Sequence, residues 1–341
     1  MLSTTAEYNM TKDYGILLEN LLGRRYDEAL RESIVSDAFE EHDYPESVRY
    51  ALESMEEIEP SYAYKTFHLA KRIQDKIAKE FDKRGLRVDF RYQGSIQTET
   101  HVVLYGGVEL IVLANCGPND KPWKVVYNIG QELMDILTKE GIYKEVNYSS
   151  KHKIKLTTQK PTCEITLLPA VWLNNRDFQT TKREIDRGIC EYNLEQKTMR
   201  RYLPFLNIAR INSRDSKCNG GLKKMARLLR GLQRDAHDPI DISNYEICAM
   251  LYGIPEDQLV FDTKKSLSLL SVVSAQLNRV VTDQQYREQL VSPSKKELVF
   301  GKKDFKASEV KKLKSELDDL ITDLQDELKG VEKDLFSEIT Y

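Results

Sequence analysis

The stretch from Arg91 to Ala114, RYQGSIQTETHVVLYGGVELIVLA, constrains the fold more than any other part of the chain. Leu86 to Tyr92 alternates well enough to be a strand, and it feeds a turn at Gly94-Ser95. Two threonines, Thr98 and Thr100, and a short loop come next, and then a second strand that carries Glu109 near its start. A later run, CEITLLPAV from Cys163 to Val171, reads as another strand, and the period of two along it sends Glu164 and Thr166 to the same face. A chain that repeats this pattern has to build a sheet and back it with helices.

The backing helices are legible. From Ser61 to Phe81 the apolar residues Ala63, Phe67, Ala70, Ile73, Ile77 and Phe81 recur every three or four positions, the spacing of one buried helix face. Tyr127 to Lys139 does the same with Ile129, Leu133, Ile136 and Leu137. Strands are expected at Tyr143 to Tyr148, Lys153 to Thr158 and Thr162 to Leu168. From about Met199 the pattern turns helical and stays so, with helices over Leu222 to Ala236, Ile242 to Leu251 and Lys264 to Val281. Two or three helices are expected before Glu59-Pro60. In the last forty residues Val310, Leu317, Leu324 and Val331 repeat every seven, with Leu313 and Leu320 between them. That seam serves either a helix packed along its own domain or a coiled-coil contact with a second copy or a partner.

Composition narrows the functional classes. With 31% charged and 40% hydrophobic residues, the 341-residue chain is ordinary for a globular protein. It has no uncharged apolar run of about 18 residues and no signal-like N-terminus, so the expectation is a cytoplasmic protein without a membrane role. Cys116, Cys163, Cys190, Cys218 and Cys248 are scattered and never form a C-x-x-C pair, which argues against a zinc site or a disulfide framework. The dispersed histidines offer no alternative metal centre, and no Walker or dinucleotide fingerprint is present. The net charge of −3 hides an asymmetry, with acids gathered in residues 1–60 and bases in 197–234. The acidic balance argues against nucleic acid as a partner. The two oppositely charged segments are candidates to meet in the fold.

The pieces QGSIQTET and ITLLPAV resemble the nucleotidyltransferases related to cyclic GMP-AMP synthase, the bacterial CD-NTases (SMODS-type) among them. The resemblance covers roughly Ser61 to Gly301. It implies an α+β, two-lobed nucleotidyltransferase: a polymerase-beta-like palm with a mixed sheet, plus a helical lobe, the substrate lying in the cleft between them. The organisation expected is an acidic helical N-terminal extension over 1–60, the palm over 61–200, the helical lobe over 201–301 and a long amphipathic C-terminal helix over 302–341.

In that family an Asp-x-Asp pair and a third acid before a Leu-Leu-Pro run bind two magnesium ions. Here the Asp-x-Asp window reads Gly107-Val108-Glu109, and the third position is Thr166. Two of the three carboxylates are missing. Magnesium is usually held by carboxylates together with substrate phosphates, so no cofactor is expected, with Glu109 the remaining candidate ligand and Mg2+ relevant only if Glu109 and Glu164 form a rearranged catalytic pair. For phosphate, the resemblance singles out Lys223 or Lys224, then Ser95 with the backbone around Gly94. Lys223, Arg227, Arg230 and Arg234 form one basic helix stripe, which is either a cleft-facing surface or a solvated face.

The reading that follows is a degenerate nucleotidyltransferase, a pseudoenzyme that binds a nucleoside triphosphate, a cyclic oligonucleotide or a protein partner as a regulator in bacterial antiphage or toxin-antitoxin defence. Two alternatives stand beside it. One is an active nucleotidyltransferase that makes a nucleotide second messenger or modifies a target. The other is a structural interaction protein that works through its acidic extension and its C-terminal helix.

Overall fold

A computed structural model describes residues 12–26, 44–104, 106–149, 152–160, 162–300 and 306–328. Its centre is a seven-stranded mixed sheet: β1 (Asp89–Gln93), β2 (Val108–Ala114), β3 (Glu145–Ser149), β4 (Lys153–Thr157), β5 (Glu164–Leu173), β6 (Gly188–Asn193) and β7 (Thr198–Tyr202). The path runs β1-β2-β5-β4-β3, with β6 joined to β5 and to β7. The β2–β5 pair is parallel and both strands are almost wholly buried, which suits their near-continuous apolar sequences. β5 pairs with β4 through its first half and with β6 through its last residues. Pro169, which has no N–H to give to a ladder, falls between those two stretches.

Each face of the sheet is covered differently. Val108, Leu110 and Val112 of β2, with Ile165 and Leu167 of β5, pack against Ala70, Ile73, Ile77 and Phe81 of α3 (Pro60–Lys83) and Leu133 and Leu137 of α4 (Pro122–Glu140). On the opposite face Ile111, Leu113, Leu168, Ala170 and Trp172 form a smaller cluster, met by Phe205 of α6 (Pro204–Lys217). Glu109 and Thr166 continue this second face toward the start of their strands. The polar end of an otherwise apolar face is thus left at the edge of the helical part of the molecule.

The helical part has one core. It gathers α1 (Tyr14–Arg25), α2 (Glu46–Met55), α7 (Gly221–Asp235), α8 (Asn244–Tyr252), α9 (Leu269–Thr282) and α11 (Ala307–Glu327). Two short helices, α5 (Arg176–Thr181) and α10 (Gln284–Gln289), complete the described set. The acidic and basic segments do meet: Glu56 pairs with Lys224 at 2.7 Å, and Arg227 of α7 donates to the Met55 carbonyl at 2.6 Å. Of the helices expected before Glu59, two are present, and residues 27–43 lie outside the described ones.

One expectation is corrected and one pair of alternatives is narrowed. The helical pattern does not begin at Met199: β7 occupies Thr198–Tyr202, and four of its five residues are exposed, so no alternation marks it as a strand. The seam of the C-terminal helix is not available to a second copy over its described length. Val310, Leu313, Leu317, Leu320 and Leu324 are all fully buried in the core of their own chain, while Val331 and Leu335 lie outside the described residues.

Candidate active site

The turn after β1 brings the site together. Gly94 has φ +90° and Gly107, just before β2, has φ +73°, both in the left-handed region that side chains disfavour. A Cβ on Gly94 would stand 3.3 Å from Glu109 Cγ, and one on Gly107 would stand 3.1 Å from Ser95 Oγ. The Gly-Ser turn, Gly107 and Glu109 therefore touch. An aspartate at position 107 would meet both the strained backbone and the serine, so the missing carboxylate has a conformational basis.

Glu109 is held from two sides. Gln93, its cross-strand neighbour, donates from Nε2 to Glu109 Oε2 at 2.9 Å. Lys153 Nζ, from the first residue of β4, lies 3.6 Å from the same oxygen. Across the parallel ladder Glu109 faces Thr166, whose other neighbour is Lys155. Glu164 stands opposite Thr157, two residues before Thr166, with its nearest cation, Lys155, 3.9 Å away. Two residues of strand amount to roughly 7 Å.

Behind Gln93 runs a buried chain of polar groups absent from the expected site. Tyr202 OH lies 3.2 Å from Gln93 Oε1 and donates to Glu191, whose other oxygen is 2.8 Å from His152 Nε2. Burial opposes the charge of Glu191, but the hydrogen bonds from His152 and Tyr202, with Lys153 nearby, more than offset this and hold its carboxyl below the ordinary value. Burial and the Glu191 carboxylate push Tyr202 well above the usual tyrosine range, so it stays a donor. A glutamate inside a strand carries no motif, and only the sheet register shows that Glu191 shares a face with the site.

The basic residues expected at phosphate are engaged by carboxylates and backbone carbonyls. Lys223 Nζ is 2.5 Å from Glu99 Oε2 and 4.0 Å from Asp215 Oδ2, and the residue is 8% exposed. Arg227, 5% exposed, donates to the carbonyls of Met55 at 2.6 Å and Glu99 at 2.8 Å. Lys224 pairs with Glu56 and lies over the Phe261 ring at 4.9 Å. Asn212 donates to the Gln97 carbonyl at 3.3 Å, and Thr100 hydrogen-bonds Asn244 at 3.1 Å. This half of the basic stripe is a clamp on the loop from Ser95 to Thr100 and not a solvated face. Gly94, Ser95 and Glu109 converge, whereas Lys223 and Arg227 engage Glu99 further along the same loop, Lys224 engages Glu56 and Glu164 engages Lys155.

A two-ion centre built by the protein does not fit this set. Among the described residues no three His, Cys, Asp or Glu side chains converge to hold a metal. The one carboxylate at the turn, Glu109, already takes a hydrogen bond from Gln93 and lies beside the Lys153 ammonium.

Similarity to known proteins places the fold. A cyclic dinucleotide synthase from Yersinia aleksiciae is 24% identical over 345 residues, covering 94% of this chain and 90% of the relative. The solved structure of the STING-associated CdnE c-di-GMP synthase from Capnocytophaga granulosa matches with a TM-score of 0.77 and 27% identity over 92% of this chain and 99% of that one. The chain is similar to the CD-NTase-like nucleotidyltransferases over most of its length and shares their fold. A more distant CD-NTase, the Elizabethkingia meningoseptica CdnE cyclic dinucleotide synthase solved with GTP and Apcpp, has a TM-score of 0.57 at 14% identity and speaks for the fold alone. No protein-family model matches the sequence.

These relatives overturn the expectation of a pseudoenzyme and of a chain that is not an enzyme. CD-NTases matched across both lobes carry the names of synthases. The absence of carboxylates at Gly107 and Thr166 therefore does not mark a scaffold kept only for binding.

Proposed function

We propose that this CD-NTase is an active nucleotidyltransferase that joins two nucleoside triphosphates into a cyclic dinucleotide, with GTP as the first substrate to test. The observation that carries this reading is the extent of the match to the Capnocytophaga granulosa c-di-GMP synthase, which spans 92% of this chain and so includes the sheet, the turn and the helical lobe together. In each half-reaction the 3′-hydroxyl of one nucleotide attacks the α-phosphorus of the other. A phosphodiester bond forms, the bond to pyrophosphate breaks, and the hydroxyl proton passes to a base or to water. Repeating the step closes the ring and releases a second pyrophosphate.

The chain's residues take roles consistent with their places. Ser95 and the backbone of the Gly94 turn receive phosphate oxygens, as turn amides and hydroxyls do. Glu109 is the carboxylate beside that turn and the group placed to accept the hydroxyl proton. Lys223 and Arg227 act from behind by fixing Glu99, and with it the loop that Ser95 begins. The reaction needs triphosphates at cellular concentration, which fits a cytoplasmic protein.

The test is product formation from GTP, ATP and their mixture, with magnesium or manganese present, read by chromatography and mass spectrometry. The expected product is a cyclic dinucleotide with release of pyrophosphate. Glu109→Gln, which keeps the Gln93 side packed, should lower the rate by about a hundredfold or more, the usual scale for a lost acid-base group. No product from any pair of nucleotides with either ion would overturn the reading.

A further inference from the structure

Around the turn the chain presents lysines where a metal-binding site would present carboxylates. On the face that holds Glu109, the strand side chains near Thr166 are Glu109, Glu164, Lys153 and Lys155. Their formal charges cancel, two negative against two positive. Glu191 adds a further carboxylate to this face, so the two lysines offset its negative charge in part, whereas a face of carboxylates alone would repel a triphosphate more strongly until cations were added.

We infer that Lys153 binds the phosphates of the incoming nucleoside triphosphate directly, so that the protein itself supplies cationic charge at a site whose carboxylates do not fit two metal ions. The inference rests on the nucleotidyltransferase reading and assigns the contact its substrate makes. Lys153 Nζ is 3.6 Å from Glu109 Oε2, and Glu109 Cγ lies where a Gly94 Cβ would come within 3.3 Å, so the ammonium and the Gly-Ser turn flank the same carboxylate. The Lys153 side chain is 34% exposed, which leaves its ammonium reachable from solvent. Lys223 and Lys224, by contrast, are taken up by Glu99 and Glu56 at 2.5 and 2.7 Å. An ordinary surface ion pair would also bring Lys153 to Glu109. The carboxylate, however, is already fixed by Gln93 at 2.9 Å, and the position of Lys153 between Glu109 and Glu191 places a compact point charge, a common phosphate binder, at the mouth of the polar chain.

The experiment measures GTP binding in the presence of EDTA, by titration calorimetry, for the full chain and for Lys153→Met, Lys153→Arg and Lys71→Met. Lys71, paired with Asp75 on the outer side of α3, is the control for loss of one exposed charge. The expected result is that the unmodified chain binds GTP without a divalent ion and that Lys153→Met weakens this binding at least tenfold. Lys153→Arg should stay within about threefold and Lys71→Met should change nothing. Guanosine, which has no phosphate, should bind all four proteins alike. Equal GTP affinity in Lys153→Met, a matching loss for guanosine, or no binding by the unmodified chain without a divalent ion would each overturn the inference. Product formation by a chain that binds GTP independently of Lys153 would sink this inference alone. Binding through Lys153 without product would sink only the synthase reading.

Discussion

At the scale of single residues, the loop beside the candidate site holds a titrating group that reports on its burial. His101 follows Thr100, is 7% exposed, and has no hydrogen-bond partner for Nδ1. Burial, helped by the charge of Arg227, pushes its pKa down to about 4. An unfolded histidine titrates near ~6.5, so between those values the unfolded chain binds more protons than the folded one, and stability rises with pH. The contribution is complete above pH ~6.5 and is lost as pH falls toward 4, with a full width on the order of 3 kcal/mol. Glu191 acts lower: its folded pKa is depressed, so its contribution is present above the ordinary glutamate value of ~4.3 and lost below it. Burial raises Glu53, Glu57 and Glu297, and these act with the opposite sign, so urea denaturation from pH 7 to pH 5 reads the histidine as the difference between the unmodified chain and His101→Gln. The midpoint should fall further across that range in the unmodified chain than in the variant. An unchanged slope in the variant would show that another group sets it.

At the scale of elements, α7 is the piece on which both the helical core and the loop clamp depend. It starts at Gly221, where a Cβ would run into the carbonyl oxygen of Leu259 and also approach Leu269 Cδ1 at 3.2 Å. Backbone cannot swing aside as a side chain can, so Gly221→Ala should destabilise the chain by about 1–3 kcal/mol or more. Gly231, in the same helix, makes the contrast. Its Cβ would meet only the Ser54 side chain, at 3.4 Å, and the Tyr50 hydroxyl. Gly231→Ala should therefore be neutral or stabilising by up to about 1 kcal/mol through helix propensity. Chemical denaturation of the two variants checks the pair, and equal effects would contradict the steric account. The existence of α7, α3 and α4 was legible because each repeats apolar residues at helical spacing, and β2 and β5 were legible from their apolar runs and the Leu-Leu-Pro segment. β6 and β7 were not, since Thr198–Tyr202 is mostly exposed and Gly188–Asn193 carries the buried Glu191. The site was legible as far as Gly94, Ser95 and Glu109, which lie within sixteen residues of one another in sequence. Gln93 adjoins Gly94 in sequence, but Lys153, Tyr202 and Glu191 join the site only through strand register, which a one-residue shift would reverse. The spacing of the basic stripe reports a shared helix face and says nothing of what covers that face, so the partners Glu99, Glu56 and the Met55 carbonyl were not legible.

At the scale of the whole molecule, the two ends of the described chain close one helical core. Tyr14 donates to Asp323 at 2.7 Å, Lys12 pairs with Glu316 at 2.6 Å, and Ser47 hydrogen-bonds Glu327 at 2.5 Å, so α1 and α2 are tied to α11. The polar ties are partly exposed and worth little singly. What decides the role of α11 is its apolar face, because Val310, Leu313, Leu317, Leu320 and Leu324 are fully buried. At about 1.5–3 kcal/mol for each buried side chain, five of them contribute on the order of 8–15 kcal/mol before chain entropy is counted. That is the size of the net stability of an entire domain, about 5–15 kcal/mol. Ending the chain at Gly301 should therefore leave the helical core open rather than merely remove an assembly surface. Because α7 lies in that core and its Lys223 and Arg227 hold Glu99, the loop that begins at Ser95 should loosen as well. The expected outcome is loss of the cooperative thermal transition, binding of a hydrophobic dye at room temperature, and no nucleotide product. A shortened chain that kept the transition midpoint of the full one, while sedimenting at a lower association state, would instead assign α11 to assembly and remove it from the core's energetics.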